Sequence, residues 1–266
     1  MMNSGPTPSA DEKILEWEAG ERTLVGVQAL TRSTVVCEMA GQIGVDAVWI
    51  EVEHGAVGFE AIEAMSVASI AGGAVPVARV PDHHRHHVLR SLEVGARIVV
   101  VPMVNDAAIA QEIVRWGKFD PLGERGFNTG SRGLRYGLHD VAVSHEWANA
   151  HTHLIAQIET REAMENLDAI LAVAGISGVL VGPGDLSCSL GVPRQREHEL
   201  VQDAVRTIVR RTKGTGKKAG ILASPPLLKI AMEEGADLLF CSSDVNVVAQ
   251  GWRNMLAQAR DGFRNA

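Results

Sequence analysis

Residues 87–102, HVLRSLEVGARIVVVP, hold one repeat of the pattern that decides the fold of this chain. The first part predicts a helix that ends at Gly95, because glycine is favoured just past the C-terminus of a helix. The second part contains Ile-Val-Val-Val at residues 98–101, which is apolar at every position. Such a run is typical of a parallel strand that is buried on both faces.

The same alternation of a short apolar run and a longer helical stretch occurs eight times. We predict strands at residues 24–30, 47–52, 75–80, 98–102, 154–158, 178–181, 219–222 and 237–241. Eight repeats favour an α/β fold of the (β/α)8 TIM-barrel type over an open doubly wound sheet. No linker divides the chain, so we expect residues 1–266 to form a single barrel domain, with residues 1–10 as a disordered tip.

One interval, residues 116–150, breaks this alternation because it is too long for a simple connection. We interpret it as a functional loop with a short helix at residues 141–150. Arg125 lies in this loop and is a further candidate for the active site.

The composition excludes several classes of protein. Asp and Glu outnumber Lys and Arg by 32 to 25, and only 4% of the residues are aromatic. A nucleic-acid-binding surface needs basic residues, and base stacking needs aromatic ones. No apolar run suits a membrane span or a secretory signal, and the three scattered cysteines suit neither a disulfide framework nor a zinc site. The chain is therefore predicted to be cytoplasmic and to bind neither nucleic acid nor a membrane.

Ionisable residues stand at the ends of four predicted strands. His54 follows the second strand, Arg79 ends the third, Glu159 follows the fifth and Asp185 follows the sixth. A (β/α)8 barrel builds its active site from the C-terminal ends of its strands, so these residues are expected to cluster. Each acid alone could equally cap a helix or pair on the barrel rim, but the four together favour a site.

The residue types indicate the chemistry of this site. Two carboxylates without a neighbouring Cys or His suit a hard divalent cation, Mg²⁺ or Mn²⁺. His54 suits general acid/base work, with Glu51 or Glu53 to orient its imidazole. Arg79 offers paired donors to a carboxylate or an enolate.

Three other features are not expected to take part in catalysis or phosphate binding, and the histidine cluster is interpreted as a solvated face or an adventitious metal site. The histidine cluster opens a helix and lacks a carboxylate or cysteine arrangement, the Gly-Thr-Gly-Lys-Lys stretch fails the Walker pattern, and Cys188 has no basic neighbour. The histidines are His83, His84, His86 and His87, and the glycine-lysine stretch is residues 214–218.

Taken in order, these motifs resemble the HpcH/HpaI aldolase family. They are Glu-His after the second strand, Arg after the third, Gln-Ile-Glu-Thr-Arg-Glu-Ala at 157–163 and Gly-Pro-x-Asp-Leu-Ser at 182–187. The resemblance runs from about Gly20 to Gly251. Members of this family are class II, metal-dependent pyruvate aldolases with a TIM-barrel fold.

The resemblance implies roles for individual residues and an assembly. It implies a last helix that packs on a neighbouring subunit, in dimers or hexamers. It also implies that Glu159 and Asp185 bind the metal, His54 is the base, Arg79 stabilises the enolate, and Gln157 lines the pyruvate site with the backbone at Gly184 and Asp185.

The chain departs from the common pattern at three places. Glu51 stands where Asp is usual, and Gly184 stands where the motif usually has Ala. Residues 127–133 also diverge from typical aldolases.

The predicted function is reversible cleavage of a 4-hydroxy-2-oxo acid to pyruvate and an aldehyde, by a homo-oligomeric lyase. Two alternatives remain at this point. One is a lyase or synthase of the same superfamily that acts on oxaloacetate, and the other is a protein that binds a keto acid without turnover.

Overall fold

A closed barrel of eight parallel strands forms the centre of the molecule. The computed structural model describes residues 8–222 and 224–264. The strands follow one another around the barrel in chain order, and the first pairs with the last. They are β1 (Leu24–Ala29), β2 (Ala47–Glu51), β3 (Val75–Arg79), β4 (Ile98–Val101), β5 (His153–Ile158), β6 (Gly178–Val181), β7 (Lys218–Leu222) and β8 (Leu238–Ser243). The predicted (β/α)8 barrel is confirmed, with strand ends that differ from the prediction by no more than two residues.

Helices cover the outside of this barrel and close one of its ends. They are α1 (Ala10–Ala19), α2 (Thr34–Gln42), α3 (Phe59–Ala71), α4 (Arg85–Glu93), α5 (Ala107–Gly117), α6 (Val141–His151), α7 (Arg161–Glu165), α8 (Leu167–Leu171), α9 (Pro183–Ser189), α10 (Glu199–Gly214), α11 (Pro225–Glu233) and α12 (Asp244–Arg264). None of the helices within the described part of the chain has the length and apolar content that crossing a membrane requires.

Helix α1 packs against the inner core and closes the N-terminal end of the barrel. Its Ile14 and Trp17 are fully buried in one apolar cluster with strand residues such as Trp49 and Phe240. The indole Nε1 of Trp17 donates to the carbonyl oxygen of Asp237 at 3.0 Å, just before β8 begins. With this end closed, a ligand can reach the inside of the barrel from the C-terminal ends of the strands.

The prediction of a disordered tip over residues 1–10 is wrong at its C-terminal end. Ser9 caps α1 by accepting a hydrogen bond from the backbone N–H of Glu12, and Ala10 is buried. This capping box satisfies backbone donors that the first helical turn leaves free. Residues 1–7 of that prediction lie outside the described part of the chain.

The long interval does not reach the predicted site. It contains the expected short helix, α6, but it lies at the N-terminal end of the barrel. There Lys118 Nζ donates to the carbonyl oxygens of Asn149 and Thr152, directly before β5. The prediction that Arg125 belongs to the active site is therefore wrong. Its side chain is buried over the ring of Phe119 at 4.6 Å.

Two lysines of the glycine-lysine stretch form hydrogen bonds at the same closed end of the barrel. Lys217 Nζ donates to the carbonyl oxygens of Val173 and Ile176, and Lys218 Nζ donates to that of Trp17. These contacts give both lysines a structural role at the closed end of the barrel.

Helix α12 carries apolar side chains that the described structure leaves exposed. Trp252 is 64% exposed, and Val245, Val248, Met255 and Leu256 are exposed beside it. The prediction that this helix packs on a neighbouring subunit stays a prediction.

Candidate active site at the C-terminal end of the barrel

A cavity of about 320 Å³ opens where the strands end. Its walls come from β1, β2, β3, β5, β6 and β7 and from the turn into α9. Of the residues predicted to form the site, the cavity is lined by Glu51, His54, Arg79, Gln157, Gly184 and Asp185. Glu159 lies directly behind this wall, since a Cβ built on Gly182 would stand 2.5 Å from Glu159 Oε2.

Glu51 is a fully buried carboxylate at the end of β2 that binds four groups. Its Oε2 accepts hydrogen bonds from Arg79 Nε at 2.9 Å, Trp49 Nε1 at 3.0 Å and Gln28 Nε2 at 2.8 Å. Its Oε1 accepts from the backbone N–H of His54 at 3.0 Å. The carboxylate therefore holds Arg79 and the turn after β2, and its bond to His54 is to the backbone rather than to the ring.

The electrostatics of Glu51 follow from these bonds. Burial alone would raise the pKa of the carboxyl group, but the charge of Arg79 and the hydrogen bonds from Arg79, His54 and Trp49 together hold it below its ordinary value. Glu51 is thus an ionised partner for Arg79, in a position where the β2–β3 register places the two residues side by side.

Arg79 is held between two carboxylates and an aromatic ring. Its Nη2 lies 2.7 Å from Glu51 Oε2 and its Nη1 lies 2.9 Å from Glu53 Oε2. The Glu53 contact is an ion pair outside hydrogen-bond geometry, because that oxygen receives no hydrogen bond from the described residues. The guanidinium also lies over Trp49, 5.3 Å from the ring centroid. These contacts orient the guanidinium and leave part of its five N–H donors for a bound anion.

His54 stands at the rim of the cavity with its ring largely exposed to solvent. The ring Nε2 lies 3.8 Å from Glu53 Oε2. Of the two acids considered from the sequence, Glu53 is thus the one whose carboxylate approaches the imidazole. The pKa of Glu53 is raised by burial, against the opposing charges of Arg79 and His54.

Glu159 is buried beneath the cavity and held by two donors. Its Oε1 accepts from the backbone N–H of Met103 at 2.8 Å, and its Oε2 accepts from Gln157 Nε2. Burial raises its pKa to about 7, although both hydrogen bonds oppose this rise, and the nearby charges of Asp185 and Glu53 add to it. A bound cation stabilises the ionised form of carboxyl groups that lie close together in this way.

The donor set around Glu159 fits a divalent cation with few protein ligands. Asp185 is exposed in the first turn of α9, beside Gly182 and Gly184. Gln157 Oε1 is buried without a hydrogen-bond partner among the described residues. Over the same residues, no group of three or more His, Cys, Asp or Glu side chains is arranged to hold a metal. A site with two carboxylates suits Mg²⁺ or Mn²⁺, which retain several water or substrate oxygens.

The sequence interpretation missed two residues that bind Glu51. Gln28 and Trp49 both donate to Glu51 and line the cavity. Gln28 carried a usable signal, because it is a polar side chain within an otherwise apolar strand. Trp49 carried none, since an aromatic residue in a buried strand is ordinary core.

Comparisons with known proteins show which family this chain belongs to. Residues 27–239 match the sequence model of the HpcH/HpaI aldolase/citrate lyase family. A 2-keto-3-deoxy-L-rhamnonate aldolase from Klebsiella pneumoniae is 34% identical, over 88% of this chain and 88% of that protein. A hydroxypyruvate/pyruvate aldolase from Roseobacter denitrificans is 31% identical, over 90% of this chain and 94% of that protein.

A solved structure shares the whole architecture. The crystal structure of an HpcH/HpaI aldolase from Desulfitobacterium hafniense superposes with a TM-score of 0.86 at 29% identity, over 92% of this chain and 95% of that chain. The chain belongs to the HpcH/HpaI aldolase/citrate lyase family.

Proposed function

We propose that this chain is a divalent-metal-dependent aldolase that reversibly cleaves a 4-hydroxy-2-oxo acid to pyruvate and an aldehyde. The observation that carries the proposal is one cavity that is lined by Asp185 and Arg79, with Glu159 directly behind its wall at Gly182. The similarity to two aldolases at 31% and 34% identity over nearly the full chain supports the same reaction class.

Glu159 and Asp185 are the residues that would hold the metal. A bound divalent cation would supply Lewis-acid stabilisation of the negative charge that forms on the keto oxygen. The exposed Asp185 leaves this position open to a substrate, while the buried Glu159 keeps a fixed orientation through Met103 and Gln157.

Arg79 and His54 would act on the organic substrate. Arg79 donates hydrogen bonds to the oxygens of the keto acid, and its charge favours the enolate that forms as the C3–C4 bond breaks. His54 accepts the proton of the C4 hydroxyl at the rim of the cavity, and the same proton returns when the enolate is protonated. Gln157 and the backbone at Gly184 form the wall against which pyruvate lies.

Removal of the metal tests the reaction class directly. Protein stripped with a chelator should lose turnover and regain it with Mg²⁺ or Mn²⁺, and Glu159→Gln should bind Mn²⁺ more weakly in electron paramagnetic resonance titrations. Glu162→Gln is the matched control, because Glu162 lies three residues further on and is exposed to solvent. Full activity of the metal-free protein would contradict the proposal.

Paired assays separate the aldolase from its alternatives. We expect pyruvate release from a 4-hydroxy-2-oxo acid to exceed pyruvate release from oxaloacetate. The opposite order would assign the chain to a lyase that decarboxylates oxaloacetate, and consumption of oxaloacetate with a second substrate but without pyruvate release would assign it to a synthase. The citrate lyases of the family make a role on oxaloacetate a real alternative. Binding of pyruvate with no turnover of either substrate would identify a keto-acid-binding protein.

We further propose a cytoplasmic homo-oligomer. The exposed apolar face of α12, described above, supports assembly through this helix, in dimers or hexamers. All three cysteines are free, which agrees with a reducing compartment.

A further inference from the structure

A cavity at the closed end of the barrel is lined by basic residues and takes no part in the proposed reaction. It has a volume of about 250 Å³ and lies between the turn after α4, the start of β4 and the segment that leads into α6. Arg97, Arg132 and Arg135 line it together with Tyr136 and His139, and none of the described residues that line it is acidic. In a chain with a net charge of −7, this cavity is a local exception to the average charge.

Arg97 is a largely buried cation with an unsatisfied donor. Its Nη2 lies 2.8 Å from Asp11 Oδ1 on α1, and its guanidinium lies over the ring of Trp147, 4.4 Å from the centroid. Its Nε is buried without a hydrogen-bond partner among the described residues. Burial lowers the pKa of Arg97 against the charge of Asp11, and the neighbouring charges of Arg135 and Arg132 lower it as well. Asp11 alone therefore does not neutralise the cations at this cavity.

The other two arginines have no carboxylate partner within the described part of the chain. Arg132 Nη1 donates to the hydroxyl oxygen of Tyr136 at 3.1 Å. The guanidinium of Arg135 lies over the ring of Trp147, 4.5 Å from the centroid. Arg97 and Arg135 thus contact the same ring, and the three guanidinium groups keep several N–H donors for a ligand.

The backbone that carries Arg135 is held in a costly conformation. Arg135 and Tyr136 have φ values of 53° and 58°, in the left-handed region that residues with a side chain adopt only at a cost. The contacts of Arg135 with Trp147 and of Arg132 with Tyr136 hold this turn in place. The turn therefore brings two guanidinium groups to one cavity instead of leaving them in solvent.

A fourth arginine adds positive charge behind the wall of this cavity. Arg125 is buried, and a Cβ built on the lining residue Gly133 would stand 3.3 Å from Arg125 Nη2. Its Nε and Nη1 are buried without hydrogen-bond partners among the described residues, and Glu93 is the acid whose charge acts on it. Four arginines against the two carboxylates of Asp11 and Glu93 leave two positive charges without compensation.

We propose that this cavity binds a phosphate dianion, either free phosphate or the phosphate group of a small ester. A phosphate ester carries close to two negative charges at neutral pH, which matches the uncompensated charge of the surrounding groups. Guanidinium groups bind phosphate oxygens through paired, charge-assisted hydrogen bonds. A water molecule occupies about 30 Å³ in the liquid, so the cavity has room for a phosphate group and for further atoms of an ester. Arg97 stands before β4 and Arg79 ends β3, so this site lies at the end of the barrel opposite to the active site.

Calorimetric titration of the wild-type protein tests the chemistry of this ligand. At neutral pH and constant ionic strength, inorganic phosphate or glycerol 3-phosphate should bind saturably and more tightly than succinate, which carries its two charges on separate carboxylates. Tighter binding of glycerol 3-phosphate than of inorganic phosphate would identify an ester as the ligand, and the reverse order would identify free phosphate.

Two variants test where the phosphate binds. Arg132→Gln and Arg135→Gln should each weaken phosphate binding about tenfold or more, because each removes a charge-assisted hydrogen bond. Arg135 is exposed, so Arg135→Gln should keep the circular dichroism spectrum of the wild type. Arg206→Gln is the matched control, since it removes an exposed positive charge that pairs with Asp203 on α10, and it should change the affinity less than about twofold.

Three results would overturn the inference. The first is a wild-type protein that binds neither phosphate compound saturably, or that binds succinate more tightly than both. The second is unchanged phosphate affinity in either Arg132→Gln or Arg135→Gln, which would place the bound phosphate elsewhere on the protein. The third is an equal loss of affinity in Arg206→Gln, which would show attraction by overall charge instead of binding at this cavity.

Discussion

Glu51 shows how the role of a single residue depends on its partners. Glu51 stands three positions before His54, and the sequence alone suggests it as a partner of the imidazole. In the structure it receives hydrogen bonds from Arg79, Trp49 and Gln28, and it binds only the backbone of His54. Glu51 is thus an ionised, fully buried carboxylate, and the side chain that it holds in place is that of Arg79 rather than that of His54.

We therefore expect Glu51→Gln to weaken both binding and catalysis. The substitution removes the charge that pairs with Arg79, so kcat/KM should fall roughly 100-fold, with an increase in KM for the keto acid. Breaking a buried ion pair should also lower the free energy of unfolding by about 3 kcal/mol. Steady-state kinetics and urea unfolding measure the two effects.

Two further variants test whether these effects are specific to Glu51. Glu60→Gln changes an exposed acid on α3 and should leave both measurements unchanged. Glu53→Gln removes the carboxylate nearest the imidazole, so it should lower kcat more than it raises KM. A Glu51→Gln variant with unchanged KM and reduced kcat would instead assign Glu51 to the orientation of His54.

At the scale of elements, the end of β6 controls the space beside the proposed metal ligand. Gly182 follows β6 with a φ of −99°, a value that any residue adopts, so its lack of a side chain matters for space rather than for backbone conformation. A Cβ there would stand 2.5 Å from Glu159 Oε2 and 2.8 Å from Gln157 Nε2. These two atoms form the hydrogen bond from the Gln157 amide to the Glu159 carboxylate, which orients Glu159.

Gly182→Ala should accordingly weaken metal binding. Displacement of Glu159 and Gln157 is expected to lower Mn²⁺ affinity about tenfold or more, as changes beside a metal ligand commonly do. Gly184→Ala serves as the comparison, since its Cβ would meet Arg196 at an ordinary contact distance of 3.6 Å and should keep Mn²⁺ affinity. Equal Mn²⁺ affinities of the two variants would show that Glu159 is not a ligand, or that Glu159 and Gln157 can move away from the new methyl group without loss of metal binding.

The junction between α5 and α6 predicts a pH dependence of stability. Lys118 follows α5 and donates to carbonyl oxygens near the end of α6, where the helix leaves such acceptors free. Burial, with the nearby charge of Arg125, lowers the pKa of Lys118 from 10.5 to about 8. Between these two values the unfolded chain holds a proton that the folded chain has lost. The contribution of Lys118 to the free energy of unfolding therefore rises with pH between these two values.

The comparison of wild-type protein with Lys118→Met isolates this contribution. The difference in unfolding free energy, wild type minus variant, should be constant below about pH 8 and should increase above it. The increase is limited to about 3 kcal/mol by the size of the pKa shift. Urea unfolding at several pH values measures the difference, and a flat profile up to pH 10 would contradict the prediction.

At the scale of the whole molecule, the exposed face of α12 is the feature that a monomer leaves unexplained. Several large apolar side chains on one helix form a surface that soluble monomers rarely expose. A charge placed at the centre of this face should disrupt an interface built on it. Trp252→Glu is thus expected to lower the mass of the assembly in sedimentation velocity without changing the circular dichroism spectrum.

Leu15→Glu provides the matched control for this test. Leu15 is an exposed apolar residue on α1, at the closed end of the barrel. Its replacement should leave the assembly unchanged. If Trp252→Glu sediments like the wild type, the proposed assembly through α12 is wrong.

The sequence by itself determined the barrel and the end of it at which the candidate site lies. Runs such as Ile98–Val101 can be read locally, because a strand covered on both faces must be apolar at every position. Parallel strands then bring all their C-terminal ends to one rim, so His54, Arg79 and Asp185 could be expected at one site. The direction of the chain also places residues 116–150 at the opposite end of the barrel. Helix α5 follows β4 and runs back to the end of the barrel at which that strand begins.

Only the tertiary structure decided which of these residues touch. Glu51 and Arg79 are 28 residues apart, and Met103, whose backbone N–H binds Glu159, lies 56 residues before it. Such contacts depend on the register between strands, on the course of loops and on side-chain directions, which local apolar patterns do not encode. The pairing of Glu51 with Arg79 and the approach of Glu53 to His54 therefore follow from the folded barrel, because only folding sets the distances between these groups.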